Sequence, residues 1–131
     1  RAVSAIATEG LMVTPTILHD AEISSATLPL EREHFQVVKE GMEYAVMNGT
    51  AAGLYMDQIT LAAKTGTAEV DVQQEHIHSW IVGYFPHDRP RYAFTFMLET
   101  GPWGEETGAV EVARTVFAWL IKNKPEYIQS L

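Results

Sequence analysis

Cysteine is absent from all 131 residues. That one absence excludes disulfides, thiolate zinc sites and cysteine nucleophiles. Long apolar runs are absent as well: none reaches the roughly 18 residues that a membrane-spanning helix needs. The first residues do not read as a signal peptide. Arg1-Ala2-Val3-Ser4-Ala5-Ile6-Ala7 reads instead as the tail of an apolar helix. Positive charge is sparse. Nine Lys and Arg stand against seventeen Asp and Glu, a formal net charge of −8. The basic residues are scattered, which argues against a nucleic-acid partner, because neutralising phosphates needs clustered cations. Internal repeats, low-complexity tracts and domain linkers are missing too.

What remains is the composition of an ordinary globular domain, 47% hydrophobic and 20% charged. A chain of this length can bury roughly two-thirds of its unfolded surface, enough for a core. Residues 1–8 read as the end of a helix, with Gly10 as the residue just past it. Leu11 to Leu18 form a short extended piece in which Pro15 forbids a helix interior, and residues 19–29 read as a loop. A 3.6-residue period over 30–48 places Phe35, Val38, Met42, Ala45 and Val46 on one face. Glu31 and Glu33 favour its first turn, and Asn48-Gly49 ends it. The loop Gly49-Thr50-Ala51-Ala52-Gly53 follows.

Three strands are predicted over 58–69, 77–85 and 91–99. In the third, Tyr92, Phe94, Phe96 and Leu98 alternate with Ala93, Thr95 and Met97. The short turn His87-Asp88-Arg89-Pro90 makes the last two strands an antiparallel hairpin. A final helix over 106–122 carries the stripe Val110, Ala113, Phe117, Leu120 and Ile121, with Lys122 and Lys124 near its end and Pro125 as its stop. The fold class is therefore α+β, a three-stranded antiparallel sheet packed with helices. One edge of that sheet is expected to be bare. The chain is then expected either to need further polypeptide or to form a homodimer through that edge.

Chemistry concentrates at Lys64-Thr65-Gly66-Thr67, which follows the apolar run Ile59-Thr60-Leu61-Ala62-Ala63. Thr65 and Thr67 are two apart on a strand, so their hydroxyls share a face, about 7 Å apart. That spacing suits a carboxylate. Lys64 is out of phase with them, but its long side chain can bring a positive charge beside the site. Gly66 lets a ligand backbone lie close to the strand. A free N–H at Thr67 can stabilise an oxyanion during acyl transfer. The competing reading is a surface strand end with a bulge glycine.

K-T-G is one of three signatures of penicillin-binding proteins and β-lactamases, and the surroundings resemble the C-terminal part of a penicillin-binding protein transpeptidase domain over nearly the whole chain. Ala5-Ile6-Ala7 with Gly10 and Pro15 resembles that family's A-I-A passage. Gly41-Met42, Val46 and Gly49-Thr50-Ala51 resemble its helix and G-T-A turn. Ala63-Lys64-Thr65-Gly66-Thr67-Ala68-Glu69 resembles its K-T-G-T-A strand, and His78-Ser79-Trp80-Ile81-Val82-Gly83-Tyr84 the strand after it. Glu99-Thr100-Gly101, Ala109 and Ala113-Arg114 resemble the E-N-G loop and following helix of class B members.

The resemblance implies a β-lactamase/transpeptidase-like fold and a serine D,D-transpeptidase that cross-links peptidoglycan through an acyl-enzyme and binds β-lactams. It implies an extracytoplasmic location and no cofactor. Lys64 and Thr67 become the catalytic candidates. Lys64, Thr65, Gly66 and Thr67 become the substrate-binding ones, with Thr65 and Thr67 on the carboxylate, the Thr67 N–H in the oxyanion hole, and Lys64 hydrogen-bonded to the serine of S-x-N.

The chain departs from the family in one respect. Its serines are Ser4, Ser24, Ser25, Ser79 and Ser130, and none begins an S-x-x-K or an S-x-N. The expectation is that residues 1–131 are the C-terminal portion of the domain. The nucleophile, and any membrane anchor, would then lie upstream, and the chain alone would be inactive. The alternatives are a serine β-lactamase, which needs a group that activates deacylating water and for which none is evident, a β-lactam sensor, and a non-catalytic interaction fragment.

Weaker candidates carry bland readings beside the functional ones. His76 and His78 are spaced for a metal, or are polar strand residues. Glu69 reaches substrate, or is a solvated strand end. Trp80 and Trp103 flank a cleft, or pack. Glu105 and Glu106 stabilise a helix start rather than act in catalysis. Ser4 with His19 or His34 forms no recognisable nucleophile arrangement.

Overall fold

The computed structural model describes residues 1–70, 76–102 and 108–128. Trp103, Gly104, Glu105, Glu106 and Ser130 lie outside the described residues. The elements run α1 (Ala2–Ala7), β1 (Leu11–Val13), β2 (Ser25–Thr27), α2 (Arg32–Asn48), β3 (Ala62–Glu69), β4 (His76–Phe85), β5 (Tyr92–Pro102) and α3 (Ala109–Asn123). Strands β3, β4 and β5 form an antiparallel sheet in that order. The expected α+β class and hairpin are present. No helix among the described residues is long and apolar enough to cross a membrane.

The sheet lies between two helical layers, and the alternation of β3 records it. Ala63 joins a cluster with Val46, Leu54, Leu61, Ile81, Phe85, Ala109, Ala113 and Phe117 on the α3 side. Ala62 joins Ala7, Met42 and Tyr84 on the α1/α2 side. Both alanines are fully buried, since two covered faces leave room only for small side chains. The strand then emerges, and Lys64, Gly66 and Thr67 are exposed. On β5, Tyr92, Phe94, Phe96 and Leu98 turn toward the α3 cluster as their alternation predicts. The Phe117 ring stands edge-on to Phe85 and Phe94 at centroid distances of 5.3 and 5.0 Å, a favoured arrangement of aromatic quadrupoles.

Five details differ from the sequence expectation. The stretch 19–29 is not all loop, because Ser25–Thr27 pairs with Leu11–Val13 in a small second sheet; three-residue strands carry too little pattern to read. Val38, expected on the buried face of α2, is exposed, whereas Phe35, Met42 and Val46 are buried. The first long strand begins at Ala62 rather than 58, because Thr60 is engaged elsewhere. Its carbonyl and hydroxyl both accept from the His87 N–H in the β4–β5 turn, at 3.1 and 3.2 Å.

The fourth difference is that β5 runs on to Pro102 through a bulge, where its register with β4 slips between Ile77 and Ser79. Thr100 sits there at φ 48°, its N–H donating to His78 Nδ1 at 2.9 Å. A left-handed β-branched residue is uncommon, and asparagine, which the resembled E-N-G loop has here, tolerates that conformation better.

The fifth is at the end of α1, where Glu9 rather than Gly10 takes the first left-handed position, at φ 57°. The Gly10 N–H reaches the Ala5 carbonyl and the Glu9 N–H the Ile6 carbonyl, the pairing of a Schellman cap. Arg32 Nε at 2.6 Å and Lys39 Nζ at 3.1 Å hold the Glu9 carboxylate. Their hydrogen bonds lower its pKa, ionising it more readily and tying α1 to α2.

Tyr84 supplies a stability prediction. It is 1% exposed, and burial, with a smaller contribution from the Glu43 charge, pushes its pKa up to about 12. An unfolded tyrosine ionises near pH 10. Between those values the native state binds the extra proton, so stability falls as pH rises, by no more than about 3 kcal/mol in all. Urea midpoints measured from about pH 9 to pH 12 should fall more steeply for the wild type than for Tyr84→Phe. Parallel curves would show that Tyr84 does not titrate this way.

Candidate functional site

The exposed half of β3 is where the sequence placed the chemistry. Among the described residues strand β3 pairs only with β4, so its other side is a free edge there. Which backbone groups face that edge follows from one hydrogen bond. The Val70 N–H donates to the His76 carbonyl at 3.1 Å, and in an antiparallel pair the backbone groups of successive residues point to alternate sides. Lys64, Gly66 and Ala68 therefore direct theirs to β4, while Thr65, Thr67 and Glu69 direct theirs to the open edge. The Lys64 ammonium accordingly donates to the outward carbonyl of Thr65.

Side chains alternate between faces. Thr65 lies opposite Ile81 and Thr67 opposite Ser79, so both hydroxyls belong to the face toward α3. Thr65 is half-buried and Thr67 exposed. Gly66 is in regular register between them, opposite Trp80, with no bulge, which removes the bulge-glycine reading. Among the described residues a Cβ at Gly66 would meet only the Trp80 Cβ, at 3.5 Å, an ordinary contact. Packing does not demand glycine there, and the surface above it is open.

Three residues outside the tetrapeptide shape this edge, and the sequence reading gave none of them a role. The Thr50 and Thr65 hydroxyls lie 2.7 Å apart, joining the loop after α2 to β3. Ser79 Oγ accepts from the Ala109 N–H at 2.9 Å and caps α3, whose own N-cap, Gly108, offers no side chain. That hydrogen bond sets the positive end of the α3 dipole on the strand beside Thr67, where with Lys64 it favours an anion. Arg114 Nη1 donates to the carbonyls of Gly53 and Tyr55 at 2.8 and 3.2 Å, fixing the loop that carries Thr50. The signal was present in part, since Thr50, Ser79 and Arg114 all stand in the segments that carry the family resemblance.

The weaker candidates separate from this site. His78 Nδ1 is occupied by the Thr100 N–H, and no cluster of three potential ligands among the described residues can hold a metal. Glu69 lies exposed at the end of β3, and Trp80 is half-buried behind Gly66. His19 pairs with Asp20 in solvent.

Comparison with known proteins gives a consistent result. The family model described as penicillin binding protein transpeptidase domain matches residues 1–122. The peptidoglycan D,D-transpeptidase MrdA of Acinetobacter baumannii is 28% identical over 111 residues, 74% of this chain and 16% of that protein. MrdA of Haemophilus influenzae is 28% identical over 106 residues, 69% of this chain and again 16% of the relative. The chain thus spans 16% of the length of these curated relatives. Among solved structures, the D,D-transpeptidase domain of a peptidoglycan glycosyltransferase from Eggerthella lenta superposes with a TM-score of 0.73 at 25% identity, over 93% of this chain and 31% of that one. PBP2 of Helicobacter pylori gives 0.71 at 27% identity, over 93% and 23%. The helix–sheet–helix arrangement is that of these transpeptidase domains.

Proposed function

This chain belongs to the penicillin binding protein transpeptidase family, and from that premise we propose that it forms one wall of the active site of a peptidoglycan D,D-transpeptidase. The observation that carries the reading is the free edge of β3. There outward amides, two hydroxyls, a lysine and a glycine that packing does not require occupy consecutive positions. An extended peptide laid along that edge gains main-chain hydrogen bonds as an added strand does. Thr65 and Thr67 then hold the terminal carboxylate of the stem peptide, or the carboxylate of a β-lactam. Gly66 admits the ligand backbone, and Lys64 holds the serine of the S-x-N motif. The N–H of Thr67 donates to the oxyanion as the scissile carbonyl is attacked.

The attacking serine lies elsewhere in the polypeptide. These 131 residues contain no S-x-x-K and no S-x-N, so they act as the C-terminal portion of the domain. The opposite edge of the sheet, β5, is where the remainder of the protein packs, and pairing with a second copy is the competing use of that edge. The location is extracytoplasmic, where peptidoglycan is built, with any membrane anchor upstream.

Fluorescent-penicillin labelling with peptide mapping tests the reading. In the full-length polypeptide the adduct is expected on a serine outside residues 1–131, and the 131-residue chain alone stays unlabelled. An adduct on Ser4, Ser24, Ser25, Ser79 or Ser130 would overturn the assignment of the nucleophile. No adduct on the full-length protein would overturn the transpeptidase reading.

A further inference from the structure

The contact between Thr50 and Thr65 has no role in the reading above, although it touches a residue that the reading uses. The two hydroxyl oxygens are 2.7 Å apart, the usual distance for an O–H···O bond. Both ends are anchored. Thr50 sits between Gly49 and Ala51, whose N–H groups both donate to the Ala45 carbonyl at the end of α2, at 3.1 and 3.0 Å. Ala51 is fully buried, and a Cβ at Gly49 would lie 2.9 Å from the Ala45 Cα. The loop is therefore packed tightly against its helix. Thr65 follows fully buried Ala63 by two residues on β3. A hydrogen bond between two fixed hydroxyls orders both at little entropic cost.

Two threonine hydroxyls have two protons between them, and the bond that joins them uses one. No other hydrogen bond of either hydroxyl is present among the described residues. The second proton is free, and its location depends on which oxygen donates. When Thr50 donates, the Thr65 proton is released toward the face it shares with Thr67. A carboxylate there selects that direction and completes a chain from Thr50 O–H to Thr65 O–H to the anion, each bond polarising the next.

We propose that Thr50 is a positioning residue for carboxylate recognition, acting through the Thr65 hydroxyl. This rests on the proposed D,D-transpeptidase reading of β3.

The test uses the full-length polypeptide and two probes, a penicillin and its uncharged methyl ester, with the second-order acylation rate constant as readout. Thr50→Val should slow acylation by the free acid roughly tenfold and change the ester by less than about twofold, because the charge-assisted bond is what weakens. Thr50→Ser should restore the acid rate. In a Thr65→Val background, Thr50→Val should add no further loss. Equal slowing of both probes would mean that Thr50 only holds the loop, and an unchanged acid rate would mean that it does nothing for the ligand; either overturns the proposal. A wild type unreactive toward both probes defeats the transpeptidase reading itself.

Discussion

Gly83→Ala is expected to prevent stable folding, or to cost at least about 3 kcal/mol where a folded population survives. A Cβ at this position would stand 2.3 Å from the Ala62 carbonyl oxygen and 2.5 Å from the Phe94 ring. Neither neighbour has room to withdraw. Ala62 is fully buried in the core cluster on the α1/α2 side, and the Phe94 ring packs against Phe117 at 5.0 Å. Relief requires β3 to separate from β4, and β3 carries the tetrapeptide. Soluble yield and the thermal unfolding midpoint are the measurements. A Gly83→Ala protein that melts within a few degrees of the wild type would show that the sheet yields more readily than its packing implies. In the full-length polypeptide, any folded fraction of the variant should acylate poorly, because Lys64 lies only two positions beyond the displaced Ala62.

The second large effect is chemical. Lys64→Ala in the full-length polypeptide should lower the second-order rate of β-lactam acylation by about 100- to 1,000-fold while leaving the unfolding midpoint nearly unchanged. The Lys64 side chain is exposed and its hydrogen-bond partner is the neighbouring Thr65 carbonyl, so the fold loses little. What disappears is the positive charge at the edge proposed to hold a carboxylate and an oxyanion. Lys64→Arg should recover only part of the rate, because a planar guanidinium cannot reproduce a compact ammonium. Acylation of Lys64→Ala within about threefold of the wild type would remove Lys64 from the site. Stopped-flow acylation and urea unfolding on the same preparations separate the two effects.

The sequence was most legible where one face of an element meets the core and the other meets water. The alternation Tyr92, Phe94, Phe96, Leu98 on β5 and the stripe through Ala113 and Phe117 on α3 arise in that way, and both survive in the packing. The front of β3 is covered on both faces, so Ala62 and Ala63 carry no alternation from which the strand start can be read. Strands β1 and β2 are too short for any period. Val38 reads as buried because α2 is apolar over a wider arc than it buries among the described residues; Val37, Tyr44 and Met47 are exposed on it too. Of the site, Lys64 to Thr67 was readable because strand geometry relates neighbours by a fixed period. The meeting of Thr50 with Thr65 was not, since it spans a helix end, a loop and a strand, and no spacing rule connects them. The left-handed Thr100 was equally hidden, because threonine does not advertise that conformation as glycine or asparagine does.

The open edge of β3 also bears on how this surface can change over evolutionary time. Its outward amides at Thr65 and Thr67 belong to the main chain, and of the twenty residues only proline abolishes a main-chain donor. A ligand that docks through those amides is therefore insensitive to most point substitutions in the strand itself. Variants that escape such a ligand must move the strand as a whole, or alter what stands beside it, such as Thr50, Ser79 or the start of α3. Under the proposed docking, drift should accordingly concentrate in these flanking supports while the main-chain groups of the edge persist.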